Sequence, residues 1–255
     1  MDYPRCAGID IGSRSIELVV VEGSRVTESR QADTGYDPIS QAKTILEGVS
    51  YDRIMATGYG RALFEIAFEA PTVTEIKAYA VGARSVFPDA KTILDIGGQD
   101  SKAIALTEDG RVGKFEMNDR CAAGTGKFLE IMARSLGYGL SEFGREALKA
   151  AKPLQINSMC TVFAESEVTS LVAKGENRRD IAMGLHRSVV RRAVSMLKRV
   201  SAARPLVFAG GVALNPCMIK LLEEAMDSPV NVPEQPQMMG ALGAALLACG
   251  AFGRP

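Results

Sequence analysis

Leu94-Asp95-Ile96-Gly97-Gly98-Gln99-Asp100-Ser101 decides the fold, because it repeats an earlier segment of the chain, Gly8-Ile9-Asp10-Ile11-Gly12-Ser13. Each segment places an aspartate at the end of an apolar strand and follows it with glycine and a hydroxyl side chain. The same order of elements, three strands followed by helix, strand and helix, surrounds both segments. A duplicated βββαβα unit predicts an α/β fold of two similar lobes with a cleft between them.

Hydrophobic periodicity and turn residues place the elements of the two units. The first unit is predicted to contain strands at 6–11, 15–21, 25–30 and 54–56, with helices at 38–47, 61–68 and 74–86. After a break at 87–89, the second unit is predicted to contain strands at 92–96, 102–106, 111–117, 205–209 and 229–232, with helices dominating 121–200 and occupying 215–226 and 238–248. We therefore expect lobes at 1–88 and 89–255, with the last helix, about 238–250, packing back on the first lobe.

Charge and hydropathy argue against several classes of function. The 255 residues include 30 basic and 30 acidic side chains with no obvious basic run, which is a poor basis for binding nucleic acid. There is neither an apolar run long enough to span a membrane nor the pattern of a signal peptide, so we expect a cytoplasmic protein. The single histidine, His186, argues against a catalytic triad or a histidine-rich metal site and is predicted to be structural or solvent-facing.

The two aspartate–glycine segments have the composition of phosphate-binding loops. Glycine lets the backbone turn sharply and approach an anion, and the freed N–H groups form a concave anion site. An aspartate at the strand end can hold a hydrated Mg²⁺ or orient an attacking water. A third glycine-rich turn, at 208–215, also follows an apolar strand and opens a helix, so it can accommodate a purine and ribose against the backbone.

These motifs, in this order, resemble the superfamily of actin, sugar kinases and heat-shock ATPases, whose lobes are ribonuclease H-like. Asp10-Ile11-Gly12-Ser13 and Asp95-Ile96-Gly97-Gly98-Gln99-Asp100 are similar to its two phosphate motifs, and Gly210-Gly211-Val212-Ala213-Leu214-Asn215 to its adenosine motif. Gly240-Ala241-Leu242-Gly243-Ala244-Ala245 resembles its second interlobe connector. The resemblance covers nearly the whole chain.

The resemblance implies a set of site residues. Asp10, Asp95 and Gln99 are expected to be catalytic. The two aspartates are expected to hold hydrated Mg²⁺ and orient the attacking water. Residues expected to bind ATP or ADP are Gly12, Ser13, Arg14, Ser15, Gly97, Gly98, Asp100, Lys102, Gly210, Gly211, Asn215 and Gly240. Gly124-Thr125-Gly126-Lys127-Phe128 is not predicted to be a P-loop, because Cys121 and Phe128 replace its first glycine and its last hydroxyl residue.

The five cysteines do not predict a disulfide framework, since their number is odd and the context looks intracellular. Cys6, Cys217 and Cys249 lie in or beside apolar segments and are expected to be small buried side chains. Cys121 and Cys160 are each predicted to stand at the start of a helix, where free N–H groups and the helix dipole favour a thiolate. Taken alone, these two residues leave open a redox thiol, a buried small residue or half of a metal site.

The cysteine contexts resemble the activators of 2-hydroxyacyl-CoA dehydratases and the ATPase subunits of benzoyl-CoA reductase, of the BadF/BadG/BcrA/BcrD type. The matching residues are Cys121-Ala122-Ala123-Gly124-Thr125-Gly126 and Cys160 with Phe163-Ala164-Glu165-Ser166-Glu167-Val168. The resemblance implies a homodimer in which Cys121 and Cys160 of each subunit hold one shared [4Fe–4S] cluster. It implies ATP-driven one-electron transfer, in anaerobic metabolism, from a donor such as ferredoxin or flavodoxin to a dehydratase, reductase or double-cubane partner.

One residue departs from the family pattern. Many members have a lysine seven residues after the first aspartate, where this chain has Glu17. An acid would not neutralise phosphate, so Arg14 or Lys102 is expected to compensate, or Glu17 to point elsewhere. The sequence also leaves open whether Glu165 or Glu167 contacts the nucleotide or metal.

Two other functions remain open at this point. A small-molecule kinase of the same superfamily would use Asp95 or Asp100 as a base toward a sugar hydroxyl. A non-enzymatic scaffold would assemble with ATP. Neither alternative requires iron.

Overall fold

The chain folds around two β-sheets. The structure is a computed structural model that describes residues 3–23, 25–152, 154–157, 160–201 and 203–250. The first sheet has the order β3-β2-β1-β4 and consists of β1 (Arg5–Ile11), β2 (Ser15–Glu22), β3 (Arg25–Asp33) and β4 (Arg53–Thr57). The second sheet has the order β7-β6-β5-β8-β9 and consists of β5 (Thr92–Ile96), β6 (Ser101–Leu106), β7 (Val112–Asn118), β8 (Leu206–Ala209) and β9 (Val230–Asn231).

The two sheets repeat one topology. In the first, β1 pairs antiparallel with β2 and parallel with β4; in the second, β5 pairs antiparallel with β6 and parallel with β8. The register is also repeated, since Asp10 lies opposite Glu17 and Asp95 lies opposite Lys102. The predicted α/β fold with duplicated units is therefore confirmed. β3 is longer than predicted, because its pairing with β2 continues to Asp33, opposite Ser15.

The helices predicted to begin at 38, 61, 74, 215 and 238 begin within one residue of those positions, and the start predicted at Cys121 is the exception. Asp37 accepts hydrogen bonds from two N–H groups of the first turn of α1, which has a proline at its first position. The predicted helix start at Cys121 is wrong, because Gly124 takes φ +93° and the Thr125 hydroxyl donates to the Ala122 carbonyl, which makes a turn there. The helices are α1 (Pro38–Leu46), α2 (Arg61–Phe68), α3 (Glu75–Val86), α4 (Gly126–Ser135), α5 (Leu140–Ala147), α6 (Thr161–Ala173), α7 (Arg178–Val200), α8 (Pro216–Met226) and α9 (Met239–Ala248).

Helix α9 lies across β1 of the first sheet, although it follows the second sheet in the chain. Side chains two residues apart share a strand face, and Cys6, Gly8 and Asp10 all lie under this helix. A Cβ on Gly8 would come within 2.0 Å of the Ala241 carbonyl oxygen, so only glycine permits this contact. One apolar cluster joins α3 and α9 to residues of both sheets, including Val19 and Ile93. The lobe boundary near residue 88 stays a prediction.

A disulfide joins Cys6 to Cys249. The expectation that both residues are simple thiols is therefore wrong, and the bond links β1 to the C-terminal end of α9. Cys217 is a buried thiol as predicted, and burial raises its pKa to about 12. No local spacing pattern indicates this pair, because the two cysteines are 243 residues apart.

Among the residues that the structure describes, no helix is long and apolar enough to cross a membrane.

The disulfide predicts a specific thiol count. Alkylation of the denatured chain without reductant should label three cysteines, and alkylation after reduction should label five, as read by intact mass. Reduction should lower the free energy of unfolding by about 2–4 kcal/mol, because the cross-link restricts the unfolded chain. Cys249→Ser should raise the count without reductant by one, since it frees Cys6. Five labelled thiols before reduction would contradict the bond.

Candidate functional site

A cavity of about 1180 Å³ lies between the loops of the two sheets. Its lining includes the predicted catalytic residues and all but one of the residues predicted to bind nucleotide. The predicted residues that line it are Asp10, Gly12, Ser13, Arg14, Ser15, Asp95, Gly97, Gly98, Gln99, Asp100, Lys102, Gly210, Gly211 and Asn215. Gly240 is not among them: it lies behind Asp10, where a Cβ would come within 2.0 Å of the carboxylate oxygen Oδ2.

The two predicted phosphate loops have the same turn and face each other. The Gly12 N–H donates to the Ser15 carbonyl and the Gly97 N–H to the Asp100 carbonyl, both at 3.0 Å. A Cβ on Gly98 would come within 2.9 Å of the Arg14 Cβ, so the loops approach closely across the cavity. Two opposed loops of this kind can hold a polyphosphate between their backbone N–H groups.

Lys102 is the buried cation of the cavity floor. Its side chain is only 2% exposed, and its ammonium lies 3.0 Å from Asp95 Oδ2, 2.7 Å from Asp100 Oδ2 and 2.6 Å from Glu75 Oε2. The ammonium also lies 5.6 Å from the centroid of the Tyr79 ring. The three carboxylates hold the pKa of Lys102 well above its usual range although burial opposes this. Lys102 therefore stays charged.

Asp10 and Asp95 are buried carboxylates at equivalent positions of the two sheets. Burial, and then the nearby charges of Glu75 and Glu17, raise the pKa of Asp10 well above its usual value. Burial raises the pKa of Asp95 to about 6, against the opposing effect of Lys102. The Asp95 oxygen Oδ1 is buried and has no hydrogen-bond partner. A hydrated Mg²⁺ would satisfy such an acceptor, so these residues suit the ion.

Glu17 faces the cavity rather than another part of the structure. It accepts hydrogen bonds from the Ser15 hydroxyl and, at 3.0 Å, from the Gln31 amide, and it is 5% exposed. Burial raises its pKa to about 7. Arg14 pairs with Asp33 at 3.3 Å on the surface. Lys102 is thus the buried cation among the described residues that line the cavity.

The predicted adenosine end depends on His186. Asn215 Oδ1 accepts hydrogen bonds from the first N–H groups of α8, and Asn215 Nδ2 lies 3.0 Å from His186 Nε2. His186 Nδ1 lies 2.7 Å from the Ala182 carbonyl, to which it donates, so Nε2 is the acceptor for Asn215. Burial lowers the pKa of His186 to about 4, and the ring stays neutral. His186 is therefore structural, which is one of the two roles predicted for it, and it orients Asn215.

Several cavity residues were not predicted. Glu75 and Tyr79 of α3 line the floor, and Gly126 and Lys127 open α4 beside the second phosphate loop. The signal at 124–127 was a glycine-rich turn before a helix, which was set aside because it does not match a P-loop. Glu165 and Glu167 lie outside the cavity lining; Glu165 accepts from the Ser135 hydroxyl and Glu167 from the Asn157 N–H, each at 3.2 Å.

Cys121 and Cys160 are exposed free thiols outside the cavity. Cys160 is the N-cap residue of α6, as predicted. Cys121 lies in the loop before α4, where the Asn118 side chain donates to its carbonyl at 2.9 Å. In the described part of the chain, no three histidine, cysteine or acidic side chains come together as a metal site.

Residues 7–248 match the BadF/BadG/BcrA/BcrD ATPase family. The chain belongs to this family. The match confirms the resemblance that the phosphate loops and cysteine contexts indicated. The family is one of ATPases, so this chain is an ATPase by family. That the cavity binds the nucleotide, and the role of each residue in it, stay predictions.

The similar proteins extend over almost the whole of this ATPase. The activator of lactoyl-CoA dehydratase from Anaerotignum propionicum is 40% identical over 252 residues, which cover 94% of this chain and 96% of that protein. The crystal structure of component A of (R)-2-hydroxyglutaryl-CoA dehydratase from Acidaminococcus fermentans has a TM-score of 0.90 and 35% identity, covering 97% and 98% of the two chains. The activator of 2-hydroxyisocaproyl-CoA dehydratase from Clostridium difficile with bound ADPNP has a TM-score of 0.88 and 36% identity, covering 97% and 95%.

His186 predicts a pH-dependent contribution to stability. Its folded pKa of about 4 lies below the ordinary value of 6.5, so the unfolded chain takes up a proton first as the pH falls. The contribution is complete above pH 6.5 and should decline by about 3 kcal/mol as the pH falls toward 4. We expect the difference in unfolding free energy between wild type and His186→Gln to shrink from pH 7 to pH 4.5 in denaturant titrations. A difference independent of pH would contradict the assignment of a neutral, buried ring.

Proposed function

We propose that this ATPase is an ATP-dependent one-electron donor, the activator component for a cluster-containing dehydratase or reductase. The similar proteins named above are dehydratase activators or a dehydratase component. The partner is proposed to be a 2-hydroxyacyl-CoA dehydratase, a benzoyl-CoA reductase or a double-cubane cluster protein, and the electron source ferredoxin or flavodoxin. The chain is proposed to work as a homodimer in the cytoplasm.

The observation that carries the proposal is a direct backbone link between the nucleotide cavity and the segment that follows Cys121. The Gly126 N–H donates to the Gly97 carbonyl at 2.9 Å, and the Lys127 N–H donates to the Gly98 carbonyl at 2.7 Å. Gly97 and Gly98 form the second phosphate loop, and Gly126 and Lys127 are the first residues of α4. A shift of the phosphate loop on ATP binding therefore acts on the start of α4.

The loop that carries Cys121 is tied to the same helix start. The Thr125 hydroxyl donates to the Ala122 carbonyl at 2.6 Å, and the Asn118 side chain donates to the carbonyls of Cys121 and Ala123 at 2.9 and 3.3 Å. These bonds make 118–125 a compact turn rather than a free loop. We expect a displacement of the start of α4 to move Cys121 by a similar distance.

The donor set suits a cluster that two subunits share. Cys121 and Cys160 are exposed, and Val162 and Phe163, beside Cys160 on α6, are 67% and 68% exposed. A two-fold dimer supplies each ligand twice, so two cysteines per chain make the four thiolates of a [4Fe–4S] cluster. When bound, the cluster would supply a low-potential electron. Cys160 at the N-terminus of α6 places unpaired N–H groups beside its thiolate, which favours a negatively charged group.

The residues of the cavity are proposed to divide the work of ATP hydrolysis. Gly12, Ser13, Gly97 and Gly98 would hold the phosphates, with Gln99 near the γ-phosphate and Lys102 supplying positive charge. Asp10 and Asp95 would hold hydrated Mg²⁺ and orient the attacking water, since phosphoryl transfer needs positioning more than covalent chemistry. Gly210, Gly211 and Asn215 would contact the adenosine. The two subunits of the proposed dimer would have two relative arrangements. ATP can shift the balance between these arrangements only through a difference in its affinity for the two.

The cluster assignment predicts an iron content. Protein purified without oxygen should be brown and contain about four irons per dimer. Cys121→Ala and Cys160→Ala should each remove most of this iron, because each variant takes two of the four thiolates from the dimer.

Cys217→Ala is the matched control and should keep its iron, since Cys217 is buried away from the surface. An iron content in Cys121→Ala equal to that of the wild type would contradict the assignment of Cys121 as a cluster ligand. Wild-type protein without iron whose ATP turnover rises with a sugar would favour a kinase instead, and wild-type protein without iron that assembles with ATP would favour a scaffold.

The backbone link predicts a variant that uncouples the two sites. A Cβ on Gly126 would come within 2.9 Å of the Gly97 carbonyl oxygen, so Gly126→Ala should loosen the contact while the cavity still binds ATP. In wild-type protein, ATP should change the rate at which a chelator removes iron by about fivefold or more. In Gly126→Ala this effect of ATP should largely disappear.

The control is Gly139→Ala, at a helix start where a Cβ would have ordinary contacts only. A full effect of ATP on iron release in Gly126→Ala would show that the link carries no coupling.

A further inference from the structure

Glu75 lies at the point where the chain leaves the first sheet. The residues just before it are fixed to β4: the Ala56 N–H donates to the Pro71 carbonyl at 3.0 Å, and the Val73 N–H donates to the Ala56 carbonyl at 2.9 Å. Glu75 is the first residue of α3, and Thr74 is its N-cap, accepting from the Lys77 N–H. The position of Glu75 is therefore set by the first sheet and by the start of α3. This helix is the crossover from the first sheet to the second.

The Glu75 carboxylate meets a cation from the second sheet. Lys102 lies on β6, and its ammonium is 2.6 Å from Glu75 Oε2. The Lys102 side chain is 2% exposed and that of Glu75 is 18% exposed, so water screens this pair little. The ion pair connects the crossover to the hairpin that carries the second phosphate loop.

The geometry of Lys102 makes its three partners interdependent. An ammonium has three N–H donors, and Lys102 has three carboxylates within 3.0 Å, those of Glu75, Asp95 and Asp100. Asp95 and Asp100 both belong to the second sheet and its loop, whereas Glu75 approaches from the crossover. Without Glu75, Lys102 would keep only the two partners of the second sheet and its loop. Its ammonium would then be drawn toward Asp95 and Asp100 and away from the start of α3.

We propose that Glu75 is a positioning residue for ATP hydrolysis, which acts by fixing the Lys102 ammonium between the start of α3 and Asp95. It also makes that placement depend on the crossover, because the ion pair forms only when the start of α3 lies against the second phosphate hairpin. The proposal rests on ATP hydrolysis in this cavity and not on the cluster, whose assignment is tested separately by iron content. Glu75 acts through Lys102 and is not assigned contact with the reacting atoms.

The test is a double-mutant cycle measured by phosphate release from purified full-length protein. Glu75→Gln keeps the shape of the side chain and removes its charge. It should lower kcat about tenfold and leave the KM for ATP within about twofold, since an interaction needed mainly in the transition state is lost. Lys102→Met should lower kcat at least as much. The double variant should be no slower than Lys102→Met, because Glu75 is proposed to act through Lys102.

Controls separate positioning from folding. Glu108→Gln removes an exposed acid in a distant turn and should leave kcat unchanged. Glu75→Asp keeps the charge on a shorter side chain and should recover part of the activity at an unchanged melting temperature. If Glu75→Gln is too unstable to assay, Glu75→Asp replaces it in the cycle. A kcat for Glu75→Gln within twofold of wild type would overturn the proposal, and so would a further fall of the same size in the Lys102→Met background.

Discussion

The buried ion cluster around Lys102 is the interaction on which the nucleotide site depends. Five carboxylates surround or approach the cavity floor, those of Asp10, Glu17, Glu75, Asp95 and Asp100, and three of them share the one buried ammonium. Burying charge costs free energy unless it is paired and hydrogen-bonded. Here the pairing is complete for the cation and incomplete for the acids, since Asp95 Oδ1 lacks a partner. The excess of negative charge is what a divalent cation would neutralise, and polyphosphate enters such a site with its metal.

The duplicated units have come to differ at this floor. Glu17 and Lys102 occupy the same register position, opposite Asp10 and Asp95 respectively. One hairpin therefore places a carboxyl group in the cavity, and the other places an ammonium group there. Glu17 is held by Ser15 and Gln31 instead of by a cation. Burial raises its pKa to about 7, and these two hydrogen bonds oppose the rise. Among the described residues that line the cavity, the buried positive charge comes from the second unit, which is also the unit whose loop is bonded to the start of α4.

Local signals in the sequence were enough for much of the fold and part of the site. The repeated aspartate–glycine segments placed Asp10 and Asp95 in one cavity, because equivalent strand ends of two similar sheets face each other. Cys160 could be placed at a helix start because the apolar pattern begins immediately after it. Cys121 could not, since the turn before α4 depends on the positive φ of Gly124 and on a threonine hydroxyl. The contact of Glu75 with Lys102 and the bond of Cys6 to Cys249 depend on how distant segments meet, which no local pattern encodes.

The return of α9 to β1 has a consequence for how the protein is made. Cys6, Gly8 and Asp10 share the strand face that α9 covers, so this face of the first sheet stays open until residues 239–248 have been synthesised. β1 can pair early with β2 and β4, whereas the contacts with α9 that bury this face are of long range in sequence. Closing so large a loop is slow relative to local folding. On the ribosome, the nascent first sheet would therefore expose an apolar surface until residues 239–248 have emerged.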